Sequence, residues 1–195
     1  MATRYIVDNV TGQTINGEAV QRPYKVYTAL LRQSGGDSAD TKNSGTTVIG
    51  RTYEITNYQA GDDFTNVGAP SNNTGIKFVA TGEMPSVWTN SSELSWNYGA
   101  PEVTILENTI GNIPWIYNND GSYYGYLISG FPLNKTYYSV NSRFSDDGGA
   151  SAYDAFLFGA PDDAVYLTTW SNGGVPSNNL IWPNQPLSIE IRVYN

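Results

Sequence analysis

Histidine and cysteine are both absent from this 195-residue chain. Their absence excludes Ser-His and Cys-His nucleophile pairs. It also excludes zinc and iron–sulfur sites built on His or Cys, and it excludes disulfides, so the redox compartment stays open. Charge is scarce too: 14% of residues are charged, about half the usual share. Lys and Arg number 10 against 18 Asp and Glu, a net charge of −8. With no basic stripe, such a chain is repelled by nucleic-acid phosphates and by anionic membranes. No apolar run approaches the ~20 residues of a transmembrane helix. Met1-Ala2-Thr3-Arg4-Tyr5 lacks the apolar core of a signal peptide. Helical periodicity is almost missing.

What the chain does hold is 15 Tyr, 5 Trp and 6 Phe among 20 Gly, the material of strands, turns and contact surfaces. Period-2 alternation recurs. Residues 24–33 read as a strand rich in Tyr, Val and Thr. In Thr52-Tyr53-Glu54-Ile55-Thr56, Tyr53 and Ile55 face one way and Glu54 the other. Ile76, Phe78 and Ala80 share a face of residues 75–82. In residues 186–194, Leu187, Ile189, Ile191 and Val193 oppose Ser188, Glu190, Arg192 and Tyr194. Asn119-Asp120-Gly121, Asp146-Asp147-Gly148-Gly149 and Asn172-Gly173-Gly174 supply the positive φ that tight turns need. The pattern predicts an all-β protein of two small β-sandwich or barrel-like modules. The expected organisation is a short N-terminal arm over residues 1–22, a β-module over 23–104 and a C-terminal β-sandwich module over 105–195. Gly-Ala-Pro, which recurs at residues 68, 99 and 159, reads as a repeated turn rather than a solenoid.

Three groups of residues are candidates for function. In the arm, Tyr5, Ile6 and Val7 are too few to bury themselves and form a candidate docking segment; an ordinary first strand plus hairpin is the alternative. The pairs Asp62-Asp63, Asp146-Asp147 and Asp162-Asp163 suit a hard cation or the two-carboxylate chemistry of glycoside hydrolysis. Neighbours on a strand point to opposite faces, however, so the plainer expectation is turn residues, with no metal and no cofactor. The aromatic segment 115–126, with Trp115, Tyr123, Tyr124 and Tyr126, together with Trp170 and Trp182, reads as core or subunit contact, with sugar-ring binding as its alternative. Tyr123 and Tyr124 must face opposite sides of a regular strand. The Asn-x-Ser/Thr triplets at 72, 90 and 134 read as chance matches in an Asn-rich chain. No G-x-S-x-G elbow or phosphate loop is present.

Gly50-Arg51-Thr52-Tyr53-Glu54-Ile55, then Asp63-Phe64-Thr65-Asn66-Val67-Gly68-Ala69, then Thr74-Gly75-Ile76-Lys77-Phe78-Val79-Ala80-Thr81-Gly82, form one composite motif. It resembles the β-module of virion structural proteins in aquatic tailed phages and some large DNA viruses. Residues 103–113 and the ending Ile189-Glu190-Ile191-Arg192-Val193-Tyr194-Asn195 are similar to the same group. The resemblance implies a non-catalytic virion component, a capsid decoration or head fibre acting in cohesion or display on the particle surface. A tail or baseplate adhesin, or a carbohydrate-binding receptor module, is the alternative. It implies other virion proteins as partners and a homo-oligomer with a trimer favoured; the aromatics near Tyr123 add a host-surface glycan as a further candidate partner. Within the motif, Phe64 and Phe78 are expected as anchors, Gly68 and Gly75 as turn formers, and Thr74 as the cap of the returning strand.

Overall fold

The structure, a computed structural model, describes residues 14–15, 18–19, 22–141, 143–145, 152–160, 162–171, 174–178 and 186–195. Tyr5, Ile6, Val7, Asp146, Asp147 and Trp182 lie outside the described residues. The fold is all-β, with one 3-10 turn at Thr65–Val67 and no α-helix among the described residues.

One antiparallel sheet has the order β11 (Thr136–Val140), β15 (Leu187–Tyr194), β3 (Tyr24–Arg32), β8 (Glu102–Asn108). A second runs β12 (Arg143–Ser145), β13 (Ala152–Gly159), β14 (Ala164–Trp170), β10 (Ser122–Tyr126), β9 (Trp115–Asn119). A third runs β4 (Ala39–Lys42), β7 (Glu93–Asn97), β5 (Thr52–Asn57), β6 (Lys77–Val79). Near the N-terminus β1 (Thr14–Ile15) and β2 (Glu18–Ala19) pair as a small hairpin.

The first two sheets form a sandwich. Tyr27, Ala29 and Leu31 of β3 and Leu187, Ile189 and Ile191 of β15 share one core with Trp115, Tyr123, Ala155, Val165 and Leu167 of the second sheet. Alternation puts them there, because every second residue of a strand meets the core. The large polar-tipped rings are satisfied inside it. The Trp115 indole N–H donates to the Tyr27 hydroxyl at 3.3 Å, and the Tyr123 hydroxyl donates to Gln33 Oε1 at 2.7 Å. Asp120 and Gly121 turn the β9–β10 hairpin, Gly121 at φ 67°.

The third sheet is an insertion between β3 and β8 with its own core: Tyr53, Ile55, Phe64, Val67, Phe78, Ala80 and Leu94, closed by Trp88. Strand pairing therefore does not divide at residues 104–105. β3 lies between β15 and β8, so the sandwich takes residues from both sides of that boundary, and the motif-bearing unit is the stretch between β3 and β8. The expected anchors Phe64 and Phe78 are both fully buried. Gly68 and Gly75 adopt φ of 109° and 89°. The Thr74 hydroxyl accepts from the Tyr58 N–H at 3.0 Å, tying the return loop to the end of β5.

The insertion is fastened to the sandwich by polar groups. Asn112 accepts from the Val79 N–H at 2.9 Å and donates to the Val79 and Gly68 carbonyls at 3.0 and 3.3 Å, so its amide acts as one more rung beside β6. The Trp115 N–H donates to the Thr52 hydroxyl at 3.1 Å. Glu102, only 8% exposed, receives Arg51 at 2.8 Å and Arg32 at 3.1 Å. A side chain on Gly68 would collide with the Val79 carbonyl, 2.6 Å from an ideal Cβ, so this glycine is needed both for its φ and for the close approach.

Candidate functional site

The described Asp pairs sit where loops must be held. Asp62, 1% exposed, accepts backbone N–H bonds from Thr89 at 2.8 Å and Asn90 at 2.9 Å on one oxygen, and from Ser92 at 2.9 Å on the other. Burial alone would push this carboxyl up. The hydrogen bonds from Asn90, Ser92 and Thr89 outweigh it and hold the group below its ordinary value. Asp63 accepts from the Asn72 amide at 2.9 Å and from the Thr65 N–H and hydroxyl at 3.0 and 2.7 Å, which also lower it. Asp163 receives the Ser129 N–H at 2.5 Å and Asp162 the Leu133 N–H at 3.1 Å. These carboxylates are loop clamps with their lone pairs engaged by amides. No group of three or more acidic side chains converges to hold a metal among the described residues.

The aromatic residues divide by strand parity. Trp115 and Tyr123 are fully buried in the sandwich core. They are core fillers in this chain, so the expected contact role passes to their outward neighbours. Tyr124, Tyr126 and Trp170 all project from the outer face of the five-stranded sheet, since Tyr123, Gly125 and Thr169 beside them point inward. There they meet residues that sequence reading did not single out. The register aligns Phe158, Tyr166, Tyr124 and Ile116 in one row across β13, β14, β10 and β9. The Phe158 and Tyr166 rings stack at 5.8 Å and 11°, and Tyr166 lies 6.0 Å from Tyr124 at 36°. Phe156 is 53% exposed, Phe158 46% and Tyr126 41%. Asp154, opposite Trp170 at one end, is the charged residue among the described side chains of these strands' outer face. A signal was present in Ala155-Phe156-Leu157-Phe158: apolar residues on both parities mark a strand covered on both faces.

The opposite side of the sandwich behaves differently. The outer face of the four-stranded sheet carries Arg32, Glu190 and Arg192, with ion pairs from Arg192 to Glu190 and from Arg32 to Glu102. Its aromatics, Tyr24, Tyr137 and Tyr194, are interleaved with that charge: Arg192 lies over the Tyr24 ring at 4.9 Å and the Tyr137 ring at 5.9 Å. The described side chains of β13, β14, β10 and β9 instead present an aromatic, charge-poor outer face, the composition found at the centre of protein contacts.

The ring geometry narrows what this face can take. Phe158 and Tyr166 each turn one ring face toward the other, while Tyr124 tilts against Tyr166. A sugar ring needs a free aromatic face, whereas another apolar side chain packs well against edges. Comparison of the chain with family models, curated proteins and solved structures finds no match in any of the three.

Proposed function

We propose that this chain is a non-catalytic structural protein of a virus particle, acting in cohesion or display at the particle surface. Its contact with neighbouring proteins is the outer face of the five-stranded sheet. The observation that carries the contact role is the row Phe158–Tyr166–Tyr124–Ile116 on an outer face whose described side chains carry little charge. The virion setting draws on the motif over residues 50–82, whose Phe64 and Phe78 sit in a core separate from that of the sandwich. Firm attachment of that unit to the sandwich through Asn112, Thr52 and Glu102 suits a part that bears load rather than one that opens. Other virion proteins and further copies of the chain are the proposed partners, with the homotrimer implied by the resemblance as one arrangement. A host-surface glycan is the weaker reading, because Phe158 and Tyr166 already stack on each other.

The test is incorporation. Particles are assembled with the wild type and with Tyr166→Arg, a change on the outer face that leaves the inward side of β14 intact. Bound chain is measured after purification, and folding is checked by circular dichroism. A folded variant missing from particles supports the contact face. Normal incorporation overturns it, and absence of the wild-type chain from purified particles overturns the virion reading.

A further inference from the structure

We infer that the aromatic outer face is covered by a second copy of this chain, the two related by a twofold axis over the Tyr124–Tyr166 pair. The inference rests on the proposed reading of this face as a contact surface and names its occupant.

Charge is the first argument. Each copy carries −8, so two copies repel wherever their acidic surfaces approach. They meet most readily through a region poor in charge, and among its described side chains this outer face is such a region. A partner selected by opposite charge would need a charged patch to recognise; the register sets Arg143 opposite Asp154 at the edge of the face, so their opposite charges make no such patch. An apolar, aromatic counterpart is therefore required, and the same face on another copy supplies one.

Shape is the second argument. A twofold contact places one patch against itself, so the patch must be self-complementary. The row runs Phe158, Tyr166, Tyr124, Ile116, with the two tyrosines at its centre. An axis through that centre lays the Phe158 end of one row over the Ile116 end of the other, large ring against aliphatic side chain. Rings that meet across the axis can take the offset or edge-to-face arrangements that aromatic pairs prefer.

Area is the third argument. Phe156, Phe158 and Tyr126, exposed by 53%, 46% and 41%, leave roughly 300 Å² open between them if each ring can bury about 200 Å². The half-buried Tyr124, Tyr166, Trp170 and Ile116 bring the face to about 500 Å². Two copies then bury about 1,000 Å², the lower limit for a specific interface. The dimer should be reversible, with a dissociation constant on the order of micromolar.

Sedimentation equilibrium of the full chain between about 1 and 100 µM tests this. The expected result is a shift from the 21.3 kDa monomer to twice that mass, strengthened by 0.5 M NaCl because salt screens the repulsion between acidic copies. Tyr166→Arg and Thr168→Arg each set like charges across the axis and should weaken association at least tenfold. Ser139→Arg, on the outward side of β11, should leave it unchanged; circular dichroism confirms that each variant is folded. A wild type that stays monomeric at 100 µM, forms a trimer, or dimerises equally well with arginine at 166 and 168 overturns the inference. The particle assay separates this failure from failure of the contact face. A monomeric wild type whose Tyr166→Arg variant still drops out of particles defeats only the second copy as occupant. A variant that incorporates normally defeats the contact face as well.

Discussion

Replacing Phe78 with alanine tests the core of the insertion most directly. The ring is fully buried, lies 6.1 Å from Tyr53, and faces that residue across the β5–β6 pair. Burying an aromatic side chain removes about 150–200 Å² from water, worth ~4–5 kcal/mol at ~25 cal/mol per Å². Residual burial in the unfolded chain lowers this to ~3–4 kcal/mol, within the ~3–5 kcal/mol range for Phe→Ala in well-packed cores. Collapse of the site is restricted, because Tyr53 and Leu94 are pinned by neighbouring strands and Asn112 holds Val79 next to Phe78. For a chain of this length, that loss should lower the melting temperature by about 6–16 °C. Urea unfolding followed by circular dichroism and by tryptophan emission is the assay. Trp88 and Trp96 belong to the insertion, and Trp115 to the sandwich. The fastenings through Asn112, Thr52 and Glu102 predict one shared transition in the variant as in the wild type. A loss below about 1 kcal/mol would refute the role of Phe78 as an anchor. A separate early transition confined to the insertion would refute the coupling between the two units.

Two further predictions concern loops. Asp62 is held below its ordinary pKa in the folded state, so its contribution is present above the unfolded value near 4 and fades as pH falls through the folded value. The urea midpoint should therefore stay level from pH 7 to about 5 and drop toward pH 3. Asp62→Asn turns an amide toward N–H donors, should cost about 1–3 kcal/mol at pH 7, and should flatten the acid drop; an unchanged acid profile would count against the clamp. Gly68→Ala forces a Cβ onto the Val79 carbonyl at φ 109° and should cost more than about 1 kcal/mol in thermal melts. An unchanged melt would show that the close approach relaxes freely.

Much of the fold was legible in the sequence because half-buried strands leave a period of two. Leu187, Ile189 and Ile191 against Ser188 and Glu190 is a direct imprint of one wet and one dry face. The neighbours of β3 were not legible. Tyr24–Arg32 carries no local sign that its partners are Glu102–Asn108 and Leu187–Tyr194, because pairing over such distances depends on the assembled core. Parity required Tyr123 and Tyr124 to part company, and they do. Which of them faces in is decided by Val165 and Leu167 of β14, far along the chain. Trp115 has the composition of a contact residue, but its indole finds the Tyr27 hydroxyl inside the core. The clamping by Asp62 was hidden for a similar reason: its donors lie 27 to 30 residues away, and no short spacing encodes them.

The placement of β3 also bears on how the chain is made. Leu31 pairs with Leu187, 156 positions later (187 − 31). During synthesis at ~5–20 residues per second, the central strand of the sandwich waits many seconds for its neighbour. The insertion draws its four strands from residues 39–97 and can close long before that. Its early formation brings Gln33 to the Gly99 carbonyl and Arg32 to Glu102, and so delivers β8 to the side of β3. The inserted unit thus shortens the effective loop that the sandwich must close, leaving β15 as the final element to dock. A ribosome paused before residue 187 would carry a finished insertion and an open-edged sandwich, the state most in need of a chaperone.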